Sequence, residues 1–141
     1  EVPPGAPPTE YEKLVLSFCD GVKIKHLGEV SEEEKLNLMQ SCAALIYATD
    51  HPEVTSHKCY EALLCGAPLI VPNIGSASEW ITHGVEGYLC CNKTDFIAAI
   101  MNLDKLNPMK NYASNVAKLS ITNVVKNYIP LYEEVANGLR W

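Results

Sequence analysis

The sequence predicts an α/β protein with a doubly wound, mainly parallel sheet in a single domain, and three observations lead to this fold class. Two uninterrupted apolar runs, residues 43–48 (AALIYA) and 67–72 (APLIVP), are bounded by polar residues, proline or glycine. Such runs are typical of strands that helices cover on both faces. Helical patterns alternate with these runs. The connections are also short, which favours parallel strands joined by crossover helices.

A linker and a helix are predicted before the first strand. Residues 1–8 (EVPPGAPP) are Pro-rich, and the first residue is Glu rather than Met, so we expect a linker at the front of an excised or processed piece. Residues 9–141 would then form the domain. Thr9 can cap a helix over 9–18, because its hydroxyl can accept a free backbone amide and apolar residues repeat on one face of this segment.

A strand and a second helix are expected next. Residues 22–28 (VKIKHLG) alternate apolar and lysine side chains, which is the period of a strand with one better buried face. Ser31 and Glu34 have the spacing of a capping box, in which each side chain accepts the backbone amide of the other residue. A helix is therefore predicted over residues 31–42.

The later elements continue the alternation of helix and strand. They are a helix over 57–66 that stops at Gly66, a short helix over 77–84, a strand over 86–90, a helix over 94–103 capped by Thr94, and a terminal helix over 121–139 interrupted near Pro130. In a doubly wound sheet, ligands bind beyond the carboxyl ends of the strands. The loops that follow the strands are therefore the places to look for function.

Composition excludes several classes of protein. With 141 residues, of which 48% are hydrophobic, the chain is long enough for one compact domain and too short for two. Its formal charge of -6 repels a phosphate backbone, so nucleic acid is not an expected partner. No apolar run approaches the roughly 20 residues that cross a bilayer. We expect a cytoplasmic protein that meets a membrane, if at all, through another domain.

Cysteine and histidine patterns give no sign of a metal site. The six cysteines form no C-x-x-C pair and several lie in apolar runs, so we interpret them as small core residues. Closely spaced metal ligands are missing, and no disulfide framework is indicated. The four histidines lack a recognisable nucleophile partner: His26, His51, His57 and His83.

The loop after the first apolar run carries the strongest functional signal. It reads TDHPEVTSHK (49–58) and enters the helix over 57–66, so its amides lie at a helix N-terminus, which suits a diphosphate. Glu53 lies in this loop, and Glu61, with seven residues between them, lies about one turn into the helix. Both can face one crevice, where carboxylates accept sugar or ribose hydroxyls and Lys58 offsets phosphate charge.

Simpler roles account for the same residues. Glu53 can cap local amides, and Glu61 can occupy the first turns of its helix because the helix dipole favours acids there. Glu79 follows the Gly75 loop and can cap the start of its own helix. Spacing alone leaves these alternatives open.

A longer series of residues resembles a known family. After Glu53 and Glu61 come, in order, Ala62, Cys65 with Gly66, Pro68, Gly75, Glu79, Gly84 and Gly87. This resembles the pattern E-x-F-G-x-x-x-x-E-A, G-x-P-V-I, G-G-x-x-E and G-x-x-G of the retaining glycosyltransferases of the GT-B fold, group 1 or family 4-like. The match spans roughly residues 26–103, and about half the chain is well specified. It implies a Rossmann-like domain, the C-terminal half of a GT-B fold.

The resemblance also implies roles for individual residues. Glu53 would lie near the donor sugar and the reacting centre, as the catalytic residue, and Glu61 would bind the nucleotide ribose through its hydroxyls. The residues between them would cradle phosphate: Thr55, Ser56, His57 and Lys58. Gly75 and Glu79 would hold the next loop around the donor. The resemblance implies no cofactor and no metal, because the nucleotide-diphosphate sugar is itself the donor substrate.

Two departures from the family affect the expected donor geometry. Thr55 and Ser56 stand where the family has Phe and Gly, so hydroxyls or a different turn would approach the phosphate. The Arg and Lys that clamp the diphosphate in the family come from an earlier segment that this sequence lacks. His57 can donate to a phosphate oxygen when it is protonated or in the matching tautomer.

The leading hypothesis is therefore sugar transfer from a nucleotide-diphosphate donor, with retained anomeric configuration, to an acceptor held by an N-terminal domain of the same protein. Catalysis would rest on positioning and charge stabilisation, and the piece alone is expected to be inactive. Two other hypotheses stay open: an epimerase or phosphorylase of the same fold, and a non-enzymatic flavodoxin-like interaction domain, for which residues 22–28 offer no acidic pocket. The base, the sugar, the acceptor and the oligomeric state are not predicted.

Overall fold

The computed structural model describes residues 7–138, with the backbone alone for residues 108–111. The chain divides into two compact units, the first ending at Glu32 and the second beginning at Glu33. Apart from Pro7 and Pro8, the predicted linker lies outside the described residues. The sheet belongs to the second unit.

The described part of the first unit contains one helix, α1, Glu10–Ser17, as predicted. Thr9 caps it: its hydroxyl oxygen accepts the Glu12 amide at 3.2 Å, and the Glu12 carboxylate accepts the Thr9 amide at 2.6 Å. This reciprocal pair is a capping box, which satisfies two amides that the helix itself leaves free. No side chain of α1 is buried.

The predicted strand over residues 22–28 is wrong. The Asp20 carboxylate accepts the amides of Val22, Lys23 and Ile24 at 2.8, 2.7 and 2.9 Å, so the chain turns immediately after α1. Strand amides need a neighbouring strand as acceptor, and in this unit an aspartate side chain satisfies them instead. The alternation of side chains therefore buries nothing here, and Val22 is 79% exposed.

A three-stranded parallel sheet forms the centre of the second unit. Its strands are β1, Leu45–Ile46; β2, Leu69–Pro72; and β3, Gly87–Cys90, in the order β1-β2-β3. Leu45 pairs with Leu69, and Leu69 pairs with Gly87. All three strands lie where the sequence predicts them, although each is shorter than its predicted range. Gly87 permits the close pairing, because a Cβ there would lie 2.1 Å from the Leu69 carbonyl oxygen.

Helices follow the strands in alternation. They are α2, Glu32–Ser41; α3, His57–Leu64; α4, Ala77–Trp80; α5, Lys93–Met101; α6, Pro108–Leu119; and α7, Ile121–Ala136, with a 3₁₀ turn at Leu103–Lys105. Helix α2 begins directly after Ser31, as predicted. Helix α3 ends before Gly66, whose φ of +86° is in the left-handed region that glycine favours.

Four details of the helices differ from the sequence predictions. Helix α4 ends at Trp80 rather than at residue 84, because the backbone of Ile81 is extended. Helix α6 was not predicted, although its proline at the first position suits a helix start. The cap of α5 is Asn92 rather than Thr94, since the Asn92 side chain accepts the Asp95 amide at 3.1 Å. Helix α7 continues through Pro130 instead of being interrupted there.

The core lies on both faces of β2, which makes the fold doubly wound as predicted. Leu69 and Val71 point into a cluster that includes Leu63 of α3 and Trp80 of α4. Ile70 points into a second cluster with residues of β3 and α5. These β2 residues are 0 to 2% exposed, and each such side chain contributes about 2 kcal/mol by leaving water. The central strand is therefore the best anchored element of the sheet.

The six cysteines differ in their burial. Cys59 and Cys90 are buried core residues, whereas Cys91 is exposed, which corrects the expectation that all six are core residues. All six are free thiols.

Within residues 7–138, no group of three or more His, Cys, Asp or Glu side chains could hold a metal ion. No helix in that range is long and apolar enough to cross a membrane.

Candidate functional site

Two loops meet at the carboxyl ends of β1 and β2. The Glu53 loop, residues 47–56, leads from β1 into α3, and the Ser76 turn, residues 73–76, leads from β2 into α4. Parallel neighbouring strands bring these loops to the same edge of the sheet. This edge is where a doubly wound fold binds its ligands.

Glu53 is held in the first loop by Tyr47. The Tyr47 hydroxyl donates to Glu53 Oε1 at 2.6 Å. This hydrogen bond is the main reason that the pKa of Glu53 lies below its ordinary value, and the nearby Ser56 hydroxyl and the charges of Lys58 and His51 add smaller effects in the same direction. Glu53 is therefore ionised at neutral pH, and it can accept hydrogen bonds but cannot donate a proton.

Lys58 approaches the same tyrosine from above its ring. The ammonium nitrogen of Lys58 lies 4.1 Å from the centre of the Tyr47 ring, which is within the range of a cation–π interaction. Contact with Tyr47, and to a lesser extent the charge of Glu53, raises the pKa of Lys58. Tyr47 thus links a carboxylate and an ammonium group at the mouth of one loop.

The Ser76 turn packs directly against the backbone of the Glu53 loop. The Ser76 amide and the Ser76 hydroxyl each donate to the Glu53 carbonyl oxygen at 3.1 Å. Gly75 has a φ of +59°, and a Cβ there would lie 2.5 Å from that same oxygen. Both the left-handed backbone and the close approach require glycine at this position.

The side chains around Glu53 line one shallow pocket. Its polar lining comes from Tyr47, Thr49, His51, Glu53 and Ser56, and its apolar lining from Val71, Pro72, Ile74, Ala77 and Trp80. The pocket has a volume of about 20 Å³, which is the room for roughly one water. It is open on one side, so it forms a wall for a larger ligand rather than an enclosure.

The N-terminus of α3 adds free hydrogen-bond donors beside this pocket. The amides of Cys59 and Tyr60 donate to the Ser56 carbonyl oxygen at 3.0 and 3.1 Å. The amides of His57 and Lys58 have no acceptor within residues 7–138. The Ser56 side chain does not cap the helix; it is 3% exposed, and its hydroxyl has no hydrogen-bond partner in that range.

Glu61 lies apart from this group. It is one turn into α3, as predicted, and its Oε2 forms an ion pair with Lys35 of α2 at 3.1 Å. It does not line the pocket that Glu53 lines. The structure therefore brings Glu53, Ser56 and Lys58 together and leaves Glu61 about one turn beyond Lys58 along α3.

Three other predicted site residues do not line this pocket. Thr55, His57 and Glu79 are exposed. The Glu79 amide donates to the Ser76 carbonyl oxygen at 2.8 Å, so Glu79 lies in the first turn of α4. After burial, the charge of Glu79 is the next cause that raises the pKa of Tyr60.

Sequence reasoning missed Tyr47, Ser76 and Trp80. An aromatic residue inside an apolar run is typical of a core, and Tyr47 indeed packs against the core. Ser76 and Trp80 follow Gly75, which was recognised, but nothing in their spacing indicates a contact with a loop more than 20 residues earlier. Only the position of Gly75 next to them pointed to this turn.

Comparison with known proteins gives two similarities. The family described as "Glycosyl transferases group 1" matches residues 5–119, which is well over half of the chain. A segment of 83 residues is 32% identical to alpha-1,3/1,6-mannosyltransferase ALG2 of Homo sapiens. That segment is 57% of this chain and 19% of the human protein, so the chain matches about a fifth of that relative's length.

Proposed function

The chain belongs to the group 1 glycosyltransferases, and we propose that it is the part that binds the donor, a nucleotide-diphosphate sugar. One observation carries this proposal. The ionised carboxylate of Glu53, held by Tyr47, lies beside the uncapped N-terminus of α3 at the carboxyl ends of two parallel strands. A sugar diphosphate offers the two groups that these elements suit, namely hydroxyls for the carboxylate and oxyanions for the amides.

The diphosphate would lie against the start of α3. The amides of His57 and Lys58 are the free donors there, and the partial positive charge of the helix N-terminus favours an anion. The Lys58 ammonium can swing from the Tyr47 ring towards a phosphate oxygen, because it is a flexible point charge. Thr55 and the imidazole of His57, both exposed at the start of α3, would supply further donors.

Glu53 would act at the reacting centre as a fixed negative charge. Because its pKa is lowered, it is not a proton donor at neutral pH. It can accept hydrogen bonds from the donor sugar and stabilise the positive charge that develops at the anomeric carbon when the diphosphate leaves. Such a role fits transfer with retained configuration, in which the protein chiefly positions the reactants.

Glu61 would bind the ribose of the nucleotide from its place farther along α3. Lys35 contacts Oε2 of Glu61, and a carboxylate has about four lone-pair sites, so it can accept ribose hydroxyls at the same time. Lys35 would then hold the carboxylate in the orientation that binds the diol. The ion pair is partly exposed, which leaves room for the ligand.

We propose that an N-terminal domain of the same protein holds the acceptor, and that this chain alone binds nucleotide weakly and transfers no sugar. A cytoplasmic location, with contact to a membrane only through another domain, remains a prediction. An epimerase or phosphorylase of the same fold would bind a similar donor, and analysis of the products of the whole protein separates these reactions.

The first experiment is a calorimetric titration of the chain with UDP, GDP and ADP and with their sugar conjugates. We expect saturable binding of one nucleotide series. Glu61→Gln should weaken binding by about tenfold, because one charged hydrogen-bond acceptor is lost. Glu134→Gln, which removes a carboxylate from an exposed position of α7, is the matched control and should leave binding unchanged.

The outcomes separate fold from function. Binding of the sugar conjugate that is tighter than binding of the bare nucleotide, and lost in Glu53→Gln, would support a sugar site at Glu53. Absence of binding up to millimolar ligand would contradict a donor site in this chain. Equal weakening in Glu61→Gln and Glu134→Gln would contradict a specific role of the Glu61 carboxylate in binding.

A further inference from the structure

One serine, Ser76, fastens the Glu53 loop to its neighbour through both its backbone amide and its side chain. Besides its bond to the Glu53 carbonyl oxygen at 3.1 Å, the Ser76 hydroxyl approaches the Val54 carbonyl oxygen. A hydroxyl has one proton, so Ser76 shares it between these two carbonyls. Two consecutive peptide groups of the loop are thereby oriented by one oxygen atom.

The same serine oxygen is fixed by a tryptophan. The indole N–H of Trp80 donates to Ser76 Oγ at 3.1 Å, which occupies a lone pair and turns the hydroxyl proton towards the loop. Trp80 is 8% exposed, packs against Tyr60 with a ring separation of 5.4 Å, and lines the Glu53 pocket. Its carbonyl oxygen accepts the Lys118 ammonium at 3.4 Å. The tryptophan is therefore held from three sides.

We infer that Ser76 and Trp80 are positioning residues, which set the Glu53 carboxylate and the following amides in place for the donor; this inference rests on the proposed function. Neither side chain needs to touch the donor. They act on the backbone of Glu53 and Val54, whereas Tyr47 holds the side-chain carboxylate of Glu53. A hydrogen-bonded relay thus runs from α4 to the reacting centre.

The relay depends on a residue that departs from the family pattern. In the pattern G-G-x-x-E, Ser76 stands at the second glycine, after Gly75 and before Glu79. A glycine at this position could donate its amide to the Glu53 carbonyl, as Ser76 does, but it has no side chain for the Val54 carbonyl or the Trp80 indole. Fastening by the side chain is therefore specific to sequences that carry serine or threonine here.

The experiment compares Ser76→Ala, Ser76→Thr, Trp80→Phe and the control Ser78→Ala. Ser78 lies two residues farther on in α4 and is exposed. We expect Ser76→Ala to raise the pKa of Glu53 towards 4.5, followed by NMR of the labelled carboxyl group, because the carboxylate is no longer kept on Tyr47. The same variant should bind the nucleotide sugar about tenfold more weakly, as the loss of one or two hydrogen bonds predicts.

Conservative variants separate positioning from general destabilisation. Ser76→Thr keeps the hydroxyl and should restore both the Glu53 titration and the affinity. Trp80→Phe keeps the ring against Tyr60 but removes the N–H, so it should shift the Glu53 titration in the same direction by a smaller amount. Ser78→Ala should match the wild type in both measurements.

The titration and the binding measurement distinguish the two proposals. If the wild type binds no nucleotide sugar while Ser76→Ala still shifts the Glu53 titration, the proposed function fails and the relay stands as a structural feature. If Ser76→Ala leaves the Glu53 titration at the wild-type value, the positioning role is overturned, whatever the chain binds. A shift in Ser78→Ala equal to that in Ser76→Ala would overturn it as well.

Discussion

Replacing Gly75 by alanine tests whether the Ser76 turn and the Glu53 loop are packed as closely as described. The substitution has two costs. At a φ of +59°, a side chain strains the left-handed backbone by about 1 to 2 kcal/mol. The new Cβ would also lie 2.5 and 2.9 Å from the Glu53 carbonyl oxygen and amide nitrogen, against an ordinary contact of 3.4 to 4 Å.

The magnitude follows from the atoms that must move. Both clashing atoms belong to backbone, so no side chain can rotate away, and one loop must shift by nearly 1 Å. Such overpacking costs about 1 to 3 kcal/mol, which gives a total of about 2 to 5 kcal/mol for Gly75→Ala. The shift also separates Glu53 from Tyr47, so the pKa of Glu53 should rise towards 4.5.

The chain offers a matched control for this prediction. Gly84 has a φ of +79°, but a Cβ there meets nothing within 4 Å. Gly84→Ala therefore carries the backbone strain alone, about 1 to 2 kcal/mol. Urea unfolding of both variants measures the difference, which we expect to be about 2 kcal/mol. Equal losses of stability, with an unchanged Glu53 titration in Gly75→Ala, would refute the close packing of the two loops.

Three further predictions concern the site and its scaffold. Tyr47→Phe should raise the pKa of Glu53, because it removes the hydrogen bond that lowers it. The lowered pKa stabilises the folded chain above pH 4.5, and this stabilisation is lost as pH falls through the pKa of Glu53 in the folded chain. The urea midpoint of the variant should therefore depend less on pH in the acid range. Asn92→Ala should cost about 1 kcal/mol in thermal unfolding by leaving the Asp95 amide uncapped. Leu69→Ala should cost about 2 to 5 kcal/mol in urea unfolding, since the side chain is fully buried.

Sequence patterns predicted correctly those strands that have a neighbouring strand and covering helices. The apolar run of β2 has neighbours on both sides and helices on both faces, so its pattern and its structure agree. Residues 22–28 have an equally regular alternation but no strand beside them in the described part of their unit, and Asp20 takes the amides instead. Alternating side chains indicate that a segment can form a strand, and a neighbouring strand decides whether it does.

Competition between similar signals explains the smaller differences. Asn92 and Thr94 are both good caps two residues apart, and only the position of the Asp95 amide selects Asn92. In the site, Glu53 was singled out by its place in the loop between a strand and a helix, and its role was implied by the family resemblance. Its supporting residues were not, because a contact between Glu53 and Ser76 spans 23 residues and depends on the register of β1 against β2.

The burial of the strands indicates why the site needs support from the second loop. β1 contributes two residues, and Ile46 is 50% exposed, so this strand alone holds the start of the Glu53 loop weakly. β2 is buried along Leu69, Ile70 and Val71, and the Ser76 turn continues directly from it. The contacts of Ser76 therefore transfer the rigidity of the central strand to a loop whose own strand is short. On this reasoning, Ser76→Ala and Gly75→Ala should alter the Glu53 titration in the same direction, whereas Leu69→Ala should lower stability without changing that titration as long as the chain is folded.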